Sequence, residues 1–202
     1  MLEFAVLGLL HERPMHGYEL RRRLNRRLGV FRALSFGTLY PCLAGLQGRA
    51  LVSVDRPEGA TGASGRRQRI TYTLTDAGRA TFTELARHSD PASWEDDAFD
   101  VRLSFFSRTE RDVRVRLLEG RRARLAERLA VMRRERAGEE RPDPWSDALR
   151  LRDEDGTERA LAWIEELLET ERHAPAARPG SLSDPGHPAF NPPPQTPTKE
   201  NP

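Results

Sequence analysis

Residues 35–54 read Ser35-Phe36-Gly37-Thr38-Leu39-Tyr40-Pro41-Cys42-Leu43-Ala44-Gly45-Leu46-Gln47-Gly48-Arg49-Ala50-Leu51-Val52-Ser53-Val54. Leu39, Leu43 and Leu46 recur at i, i+4 and i+7, which is one face of a helix. Ser35 offers the side-chain oxygen that an N-cap requires. Pro41 falls in the first turn or two, where a missing N–H costs little. From Leu51 the period drops to two, so Leu51–Val54 predicts a strand and Ile70-Thr71-Tyr72-Thr73-Leu74 a second one. Between them lie a glycine-rich tip, Glu58–Gly65, and the basic run Arg66-Arg67-Gln68-Arg69.

Upstream, Leu2, Ala5, Val6, Leu9 and Leu10 mark one face of an amphipathic helix, which ends before Arg13-Pro14 because the residue before proline avoids helical backbone. A second helix restarts at His16-Gly17, with Leu20, Leu24 and Leu28 on one face and Arg21, Arg22, Arg23, Arg26 and Arg27 on the other. Gly29 stops it. Downstream, Thr75 or Asp76 caps a helix running through Phe82 and Leu85. Three helices, a hairpin and a fourth helix make the winged helix-turn-helix arrangement, whose third helix enters the major groove of DNA.

Asp90-Pro91 closes this unit, so the first domain is assigned to residues 1–88. From Phe99 to Arg136 the sequence is strongly helical, with Val113, Leu117, Leu118, Leu125, Leu129 and Met132 as an apolar stripe. Arg141-Pro142-Asp143-Pro144 breaks it. A second helix starts near Ser146, with an interruption expected at Gly156 and Leu161, Ile164 and Leu168 on its apolar face. Two long helices with narrow stripes bury little alone, which predicts a partner, most simply a second copy of the chain. Residues 89–173 are therefore assigned to a helical dimerisation and effector domain, and Leu118, Leu125, Leu129, Met132, Leu161, Ile164 and Leu168 to the dimer contact. Residues 174–202 hold nine of the fifteen prolines and no hydrophobic period, and are read as a disordered proline-rich tail. The fold class is mainly α with a small β-hairpin.

Composition narrows the function. The hydrophobic fraction of 37% is low for one compact globule and suits a long-helix protein with a polar surface. The net charge is +2, but residues 1–85 hold 13 Lys/Arg against 7 Asp/Glu, and the remainder is acidic. A basic N-terminal half suggests a module that binds a polyanion, with generally arginine-rich composition as the bland alternative. No apolar run is long enough for a bilayer. Met1-Leu2-Glu3-Phe4 lacks the basic start of a signal peptide. The single Cys42 allows no internal disulfide, and a reducing, cytoplasmic setting is expected. The histidines are scattered, and no H-E-x-x-H, G-x-S-x-G or phosphate-cradling glycine loop occurs, so neither an enzyme nor a cofactor or metal is expected. Asp96-Asp97 and Glu165-Glu166 read as solvated helix charge. Cys42, among leucines, reads as a small buried hydrophobe, with a redox switch as the alternative.

Pro14-Met15-His16-Gly17-Tyr18-Glu19-Leu20 resembles the P-x-x-G-Y-E-[IL] signature of the PadR family of transcriptional regulators. Phe36-Gly37-Thr38-Leu39-Tyr40-Pro41, followed by Leu43 and Leu46, resembles that family's G-T-[LI]-Y-P-x-L-x-x-L recognition helix. Arg67 to Gly78, with Tyr72-Thr73-Leu74-Thr75, resembles its wing strand and the Y-x-L-T-x-x-G that follows. Three motifs in order and at matching spacing cover roughly residues 1–85. The helical second half is similar in kind to the family's larger branch, whose C-terminal helices dimerise. Two departures stand out. Ala50 occupies a corner where family members often carry Gly, and alanine in left-handed backbone costs about 1 kcal/mol, so a differently shaped corner is expected. The wing tip, residues 57–65, is longer and richer in glycine than usual.

The resemblance implies a homodimeric, ligand-responsive repressor on a pseudo-palindromic operator. A winged-helix adaptor that binds protein without reading DNA is the alternative. Double-stranded DNA, a second copy and a small-molecule effector are the partners expected. The DNA contacts expected are Tyr18, Arg22, Ser35, Gly37, Thr38, Tyr40, Arg49, Arg66, Arg67 and Arg69. The arginines would neutralise phosphates. Gly37 and Thr38 sit where helix N–H groups favour an anion. The resemblance implies that Tyr18 and Tyr40 support backbone phosphates, the alternative being core aromatics with satisfied hydroxyls. Ser35 is read foremost as a cap. No Asn, Gln or Arg follows Ser35 in the first turn, so shape readout is expected to contribute. Trp94, Phe99 and Trp163, with Trp145, Phe105 and Phe106 nearby in sequence, are effector-pocket candidates, with core or interface anchoring as the alternative.

Overall fold

The computed structural model describes residues 1–28, 35–55, 70–138 and 143–173. The wing tip with Arg66, Arg67 and Arg69, and the tail 174–202, lie outside the described residues. The chain packs as two compact units: Met1–His88 with Asp100–Phe105, and Ser89–Phe99 with Phe106 onward.

In the first unit, helix α1 (Leu2–Leu10) is buried from Phe4 through Leu10 without a gap. The expected one-sided helix is instead a central rod: α2 (Gly17–Leu28), α3 (Phe36–Gly48), α4 (Asp76–Arg87) and the sheet all pack on it. The sheet has three antiparallel strands in the order β1 (Met15–His16), β3 (Thr71–Leu74), β2 (Val52–Asp55). The hairpin pairs Val52 with Leu74 and Val54 with Tyr72, so Val52, Leu74 and Tyr72 face the core. Strand β1, absent from the sequence reading, pairs Met15 with Tyr72. Its His16 ring Nδ1 lies 3.1 Å from the Thr71 hydroxyl and 3.3 Å from the Ile70 carbonyl.

The corner between α3 and β2 keeps the left-handed shape that alanine disfavours. Ala50 has φ +56°. The Leu51 N–H donates to Leu46 O (3.0 Å) and the Ala50 N–H to Gln47 O (2.9 Å), the two bonds of a Schellman cap. The expectation of a reshaped corner is thus corrected: these bonds, with Leu46 and Leu51 buried, hold Ala50 where glycine would sit more easily. The first turn of α4 reinforces it. Thr75 donates its hydroxyl to Ala50 O (2.8 Å) and Leu51 O (3.0 Å) while capping the Gly78 N–H (3.0 Å). A side chain on Gly78 would overlap the Leu51 carbonyl. The Thr75–Gly78 spacing is therefore the contact by which α4 clamps the corner.

The second unit holds a short 3-10 turn (Pro91–Trp94), the first turn of α5 (Asp96–Leu103), a second 3-10 turn (Phe106–Arg108), and the paired helices α6 (Arg111–Ala137) and α7 (Pro144–His173). The stretch expected to be strongly helical from Phe99 to Arg136 is divided: α5 stops at Leu103 and α6 begins at Arg111. The buried Arg114 guanidinium satisfies the carbonyls freed at the break, donating to Thr109 O (2.7 Å) and Phe106 O (3.4 Å). It also binds both carboxylate oxygens of Glu171 on α7, at 2.8 and 2.7 Å. The interruption expected at Gly156 does not occur, and α7 runs through it. Asp143 caps that helix, accepting from the Ser146 N–H at 2.9 Å, which holds its carboxyl below the usual range.

Candidate nucleic-acid interface

The loop-facing end of α3 and the first turns of α2 carry three aromatic side chains that the core does not take. Tyr18 is 66% exposed, Tyr40 47% and Phe36 36%. The helical period explains why: Leu39, Leu43 and Leu46 take the buried face of α3, and Phe36 and Tyr40, four apart, fall on the other. The two rings stack with centroids 5.6 Å apart and planes 17° apart. The Tyr40 ring also lies over Gly17, where an added Cβ would meet it at 3.3 Å. The choice left open by the sequence, core or surface, resolves to surface for both tyrosines.

Arginines on α2 divide into two groups. Arg23 pairs with Glu12 (3.2 Å) and Glu19 (3.1 Å), and Arg27 pairs with Glu12 (2.7 Å) and lies over the Phe105 ring. Arg13 pairs with Glu19. These cations are neutralised and brace the α1–α2 connection. Arg21, Arg22 and Arg26 have no carboxylate partner among the described residues. The Arg21 guanidinium instead lies over the Phe36 ring, 4.0 Å from its centroid. Arg21, Phe36 and Tyr40 therefore form one basic and aromatic patch at the N-terminal end of α3, with Gly17 of α2 against the Tyr40 ring.

Ser35 accepts from the Thr38 N–H (3.2 Å), and its hydroxyl lies 3.0 Å from that of Thr38. This is the cap that the sequence favoured. Gly37 is exposed, and a Cβ there would meet only the Ser35 hydroxyl at an ordinary 3.5 Å. Gly45 and Gly48 have open space around them. Among the described residues nothing requires glycine at these exposed positions, although Gly45, in the helix interior, weakens the helix by about 1 kcal/mol relative to alanine. Arg49, the C-cap at the far end of α3, is exposed and pairs with Glu3 at 2.6 Å. Cys42 is half-buried, and burial, then Glu3, pushes its thiol above the ordinary range, which leaves little reactive thiolate.

The residues expected at the dimer contact are mostly buried in the single chain. Leu118, Leu125, Leu129, Ile164 and Leu168 are buried within a single chain, Met132 and Leu161 partly so. They lie on α6 and α7, the two helices that pack together most extensively in this unit. What stays exposed is Val131, Leu149, Leu151 and Trp145, the last at 81%.

The effector candidates also scatter. Trp94 lies against Gly120, where any side chain would overlap its indole. Phe99 is buried edge-on to Phe106. Trp163 is half-buried on α7. Phe105 belongs to the first unit, packed edge-on to Phe4 and Phe82 in the space that Gly8 leaves open. A cleft of about 380 Å³ in the second unit is lined by Glu95, Arg121, Arg124, Leu125, Arg128 and Met132 among others, and by none of these aromatics. Arg121 and Arg128 reach Asp96 across it, and Arg124 reaches Glu95.

Sequence reasoning missed Phe36 as part of the surface. The signal was there: an aromatic next to an N-cap, off the Leu39–Leu43–Leu46 face. Among the described residues no helix is long and apolar enough to cross a membrane, and no group of three or more His, Cys, Asp or Glu could hold a metal ion.

Residues 6–84 match the family model described as "Transcriptional regulator PadR-like family". The chain is 27% identical over 108 residues to the negative transcriptional regulator PadR of Bacillus subtilis strain 168, a match spanning 53% of this chain and 57% of that protein. Among solved structures it is similar to Bacillus subtilis PadR in complex with operator DNA, at 21% identity and TM-score 0.40, covering 84% of this chain and 98% of that one. It is similar also to Bacillus subtilis PadR in complex with p-coumaric acid, at 20% identity and TM-score 0.37, covering 86% and 96%.

Proposed function

We propose, from the premise that residues 6–84 form a domain of the PadR-like family of transcriptional regulators, that the whole chain is a DNA-binding transcriptional regulator and not an enzyme. The observation that carries this reading is the patch at the N-terminal end of α3: Phe36 stacked on Tyr40, the Arg21 guanidinium over Phe36, and an exposed Gly37, together with exposed Tyr18 and with Arg22 and Arg26 on α2, none of these arginines paired to a carboxylate among the described residues. DNA affinity rests on neutralising phosphates with release of counterions, which needs cations not already neutralised. Glycine at the tip of a helix lets a backbone phosphate approach the N–H groups. Arg21, Arg22 and Arg26 supply the charge, Tyr18 and Tyr40 supply hydroxyls at the same surface, and the helix end supplies oriented donors. Thr38, partly engaged with Ser35, is a weak reader of bases, so the operator's shape carries much of the specificity. Arg66, Arg67 and Arg69 extend the contact from the wing. The negative regulator among the relatives supports repression as the direction of control.

The regulator acts as a homodimer, its two recognition helices meeting half-sites about 34 Å apart, one turn of the duplex. Because the α6–α7 stripe is spent within the chain, the dimer contact uses what remains exposed, led by Trp145 and Leu149. A small effector bound in the second unit releases DNA by favouring the dimer whose helices are wrongly spaced. The reading is tested by a salt titration of the full chain on a fragment from upstream of its own gene, with a scrambled fragment beside it. Selective binding whose logarithm falls steeply with the logarithm of salt is the expected result. Weak binding, equal on both fragments, would overturn it in favour of a protein-binding adaptor.

A further inference from the structure

Arg21 differs from its neighbours in how it is held. Arg23 and Arg27 are positioned by carboxylates, which fix the guanidinium but neutralise it. Arg21 is positioned by a ring: its guanidinium lies 4.0 Å from the Phe36 centroid, and Phe36 is itself braced by stacking on Tyr40. Contact with an aromatic face restrains an arginine through its planar surface and leaves its edge N–H donors and its charge available. A long arginine side chain otherwise loses rotamer freedom when it binds, and one already held loses less. Phe36 has no role in the core that would explain an exposed aromatic next to a cap: the buried side chains of α3 are Leu39, Leu43 and Leu46.

We propose that Phe36 is a positioning residue that holds Arg21, charged and pre-oriented, for a phosphate of the DNA backbone flanking the N-terminus of α3. The inference rests on the DNA-binding reading and adds to it a division of labour. Phe36 touches no base and gives no hydrogen bond. It sets the direction of Arg21, while Tyr40, seated over Gly17, sets the direction of Phe36. The contact is independent of sequence, so its loss weakens operator and scrambled duplex alike.

The experiment is a double-mutant cycle on the full chain, with Arg21→Gln, Phe36→Leu and both together, titrated at several salt concentrations against the upstream fragment and the scrambled one. Arg21→Gln is expected to weaken binding about five- to tenfold and to lower the salt slope by about 0.9 per domain, the value for one phosphate contact. Phe36→Leu is expected to weaken binding about threefold or more, and Phe36→Tyr to restore it. In the Arg21→Gln background, Phe36→Leu is expected to cost less than about twofold, because the group it positions is gone. Thermal melts of each variant report whether Phe36 matters only to folding. Additive losses in the cycle, or a Phe36→Leu protein that binds like the original, would overturn the proposal while leaving the DNA-binding reading intact. Flat salt slopes and no selectivity in the unmodified chain would overturn both.

Discussion

At the scale of single residues, glycine separates two kinds of pressure on this chain. Gly120, in the middle of α6, is there because Trp94 occupies the space a Cβ would take. A Cβ on Gly45, in the middle of α3, would meet no other side chain or loop among the described residues. The two sites look alike in the sequence, since both are lone glycines inside a helical period, and only packing tells them apart. Gly120→Ala is therefore expected to destabilise the fold by about 1–3 kcal/mol through overpacking. Gly45→Ala is expected to stabilise it by about 1 kcal/mol through helix propensity, and to weaken DNA binding if the duplex approaches that face. Thermal melts of both variants, with a binding titration of the second, check the pair. A Gly45→Ala protein that is more stable and binds as before would show that the open face of α3 is not used. Ala50 carries the same lesson with the sign reversed: the sequence showed an alanine where glycine is common, and the corner was expected to change. Local propensity lost to two backbone hydrogen bonds and the Thr75 clamp.

At the scale of elements, what was legible is what repeats locally. Helices α2, α3 and α4 and the β2–β3 hairpin follow from leucine spacing, period-two strands and the caps Ser35 and Thr75, all within a few residues of one another. The aromatic surface was legible in part, since Tyr18 and Tyr40 were singled out and Phe36 was not. What escaped depends on partners far away in the chain. Strand β1 is two residues long and exists only because Tyr72 and Thr71 lie beside it. The break before α6 is stabilised by Arg114 and, through it, by Glu171. The apolar stripes of α6 and α7 were expected to need a partner chain, whereas most of their side chains are already buried within one chain whose α6 and α7 pack together. This separates two substitutions. Leu125→Ala, at a buried position on α6, is expected to cost about 2–5 kcal/mol of stability. Trp145→Glu, on the exposed start of α7, is expected to leave the melting temperature of dilute protein nearly unchanged and to shift the chain toward monomer. Sedimentation equilibrium and thermal melts measure both. A Trp145→Glu protein that stays fully dimeric would move the dimer contact off the start of α7.

At the scale of the whole molecule, the N-terminal unit does not end where its sequence pattern ends. Asp100–Phe105 belongs to it. Phe105 packs against Phe4 and Phe82 over Gly8, and Arg102 donates to Leu85 O at 3.1 Å. The division at residue 88 drawn from Asp90-Pro91 thus omits six residues of that unit. A chain cut after residue 88 lacks the ring, and the loss is expected to resemble a buried Phe→Ala change, about 3–5 kcal/mol. A chain ending at residue 105 is expected to recover part of this, and circular-dichroism melts of the two pieces measure the difference. Equal melting temperatures would show that the aromatic ring adds nothing there. The return of the chain also bears on the newly made protein. When residue 88 leaves the ribosome, the space over Gly8 is still unfilled, and translation at about 5–20 residues per second takes roughly one to three seconds more to supply its plug. During that interval the nascent chain exposes an apolar opening that the finished protein never shows.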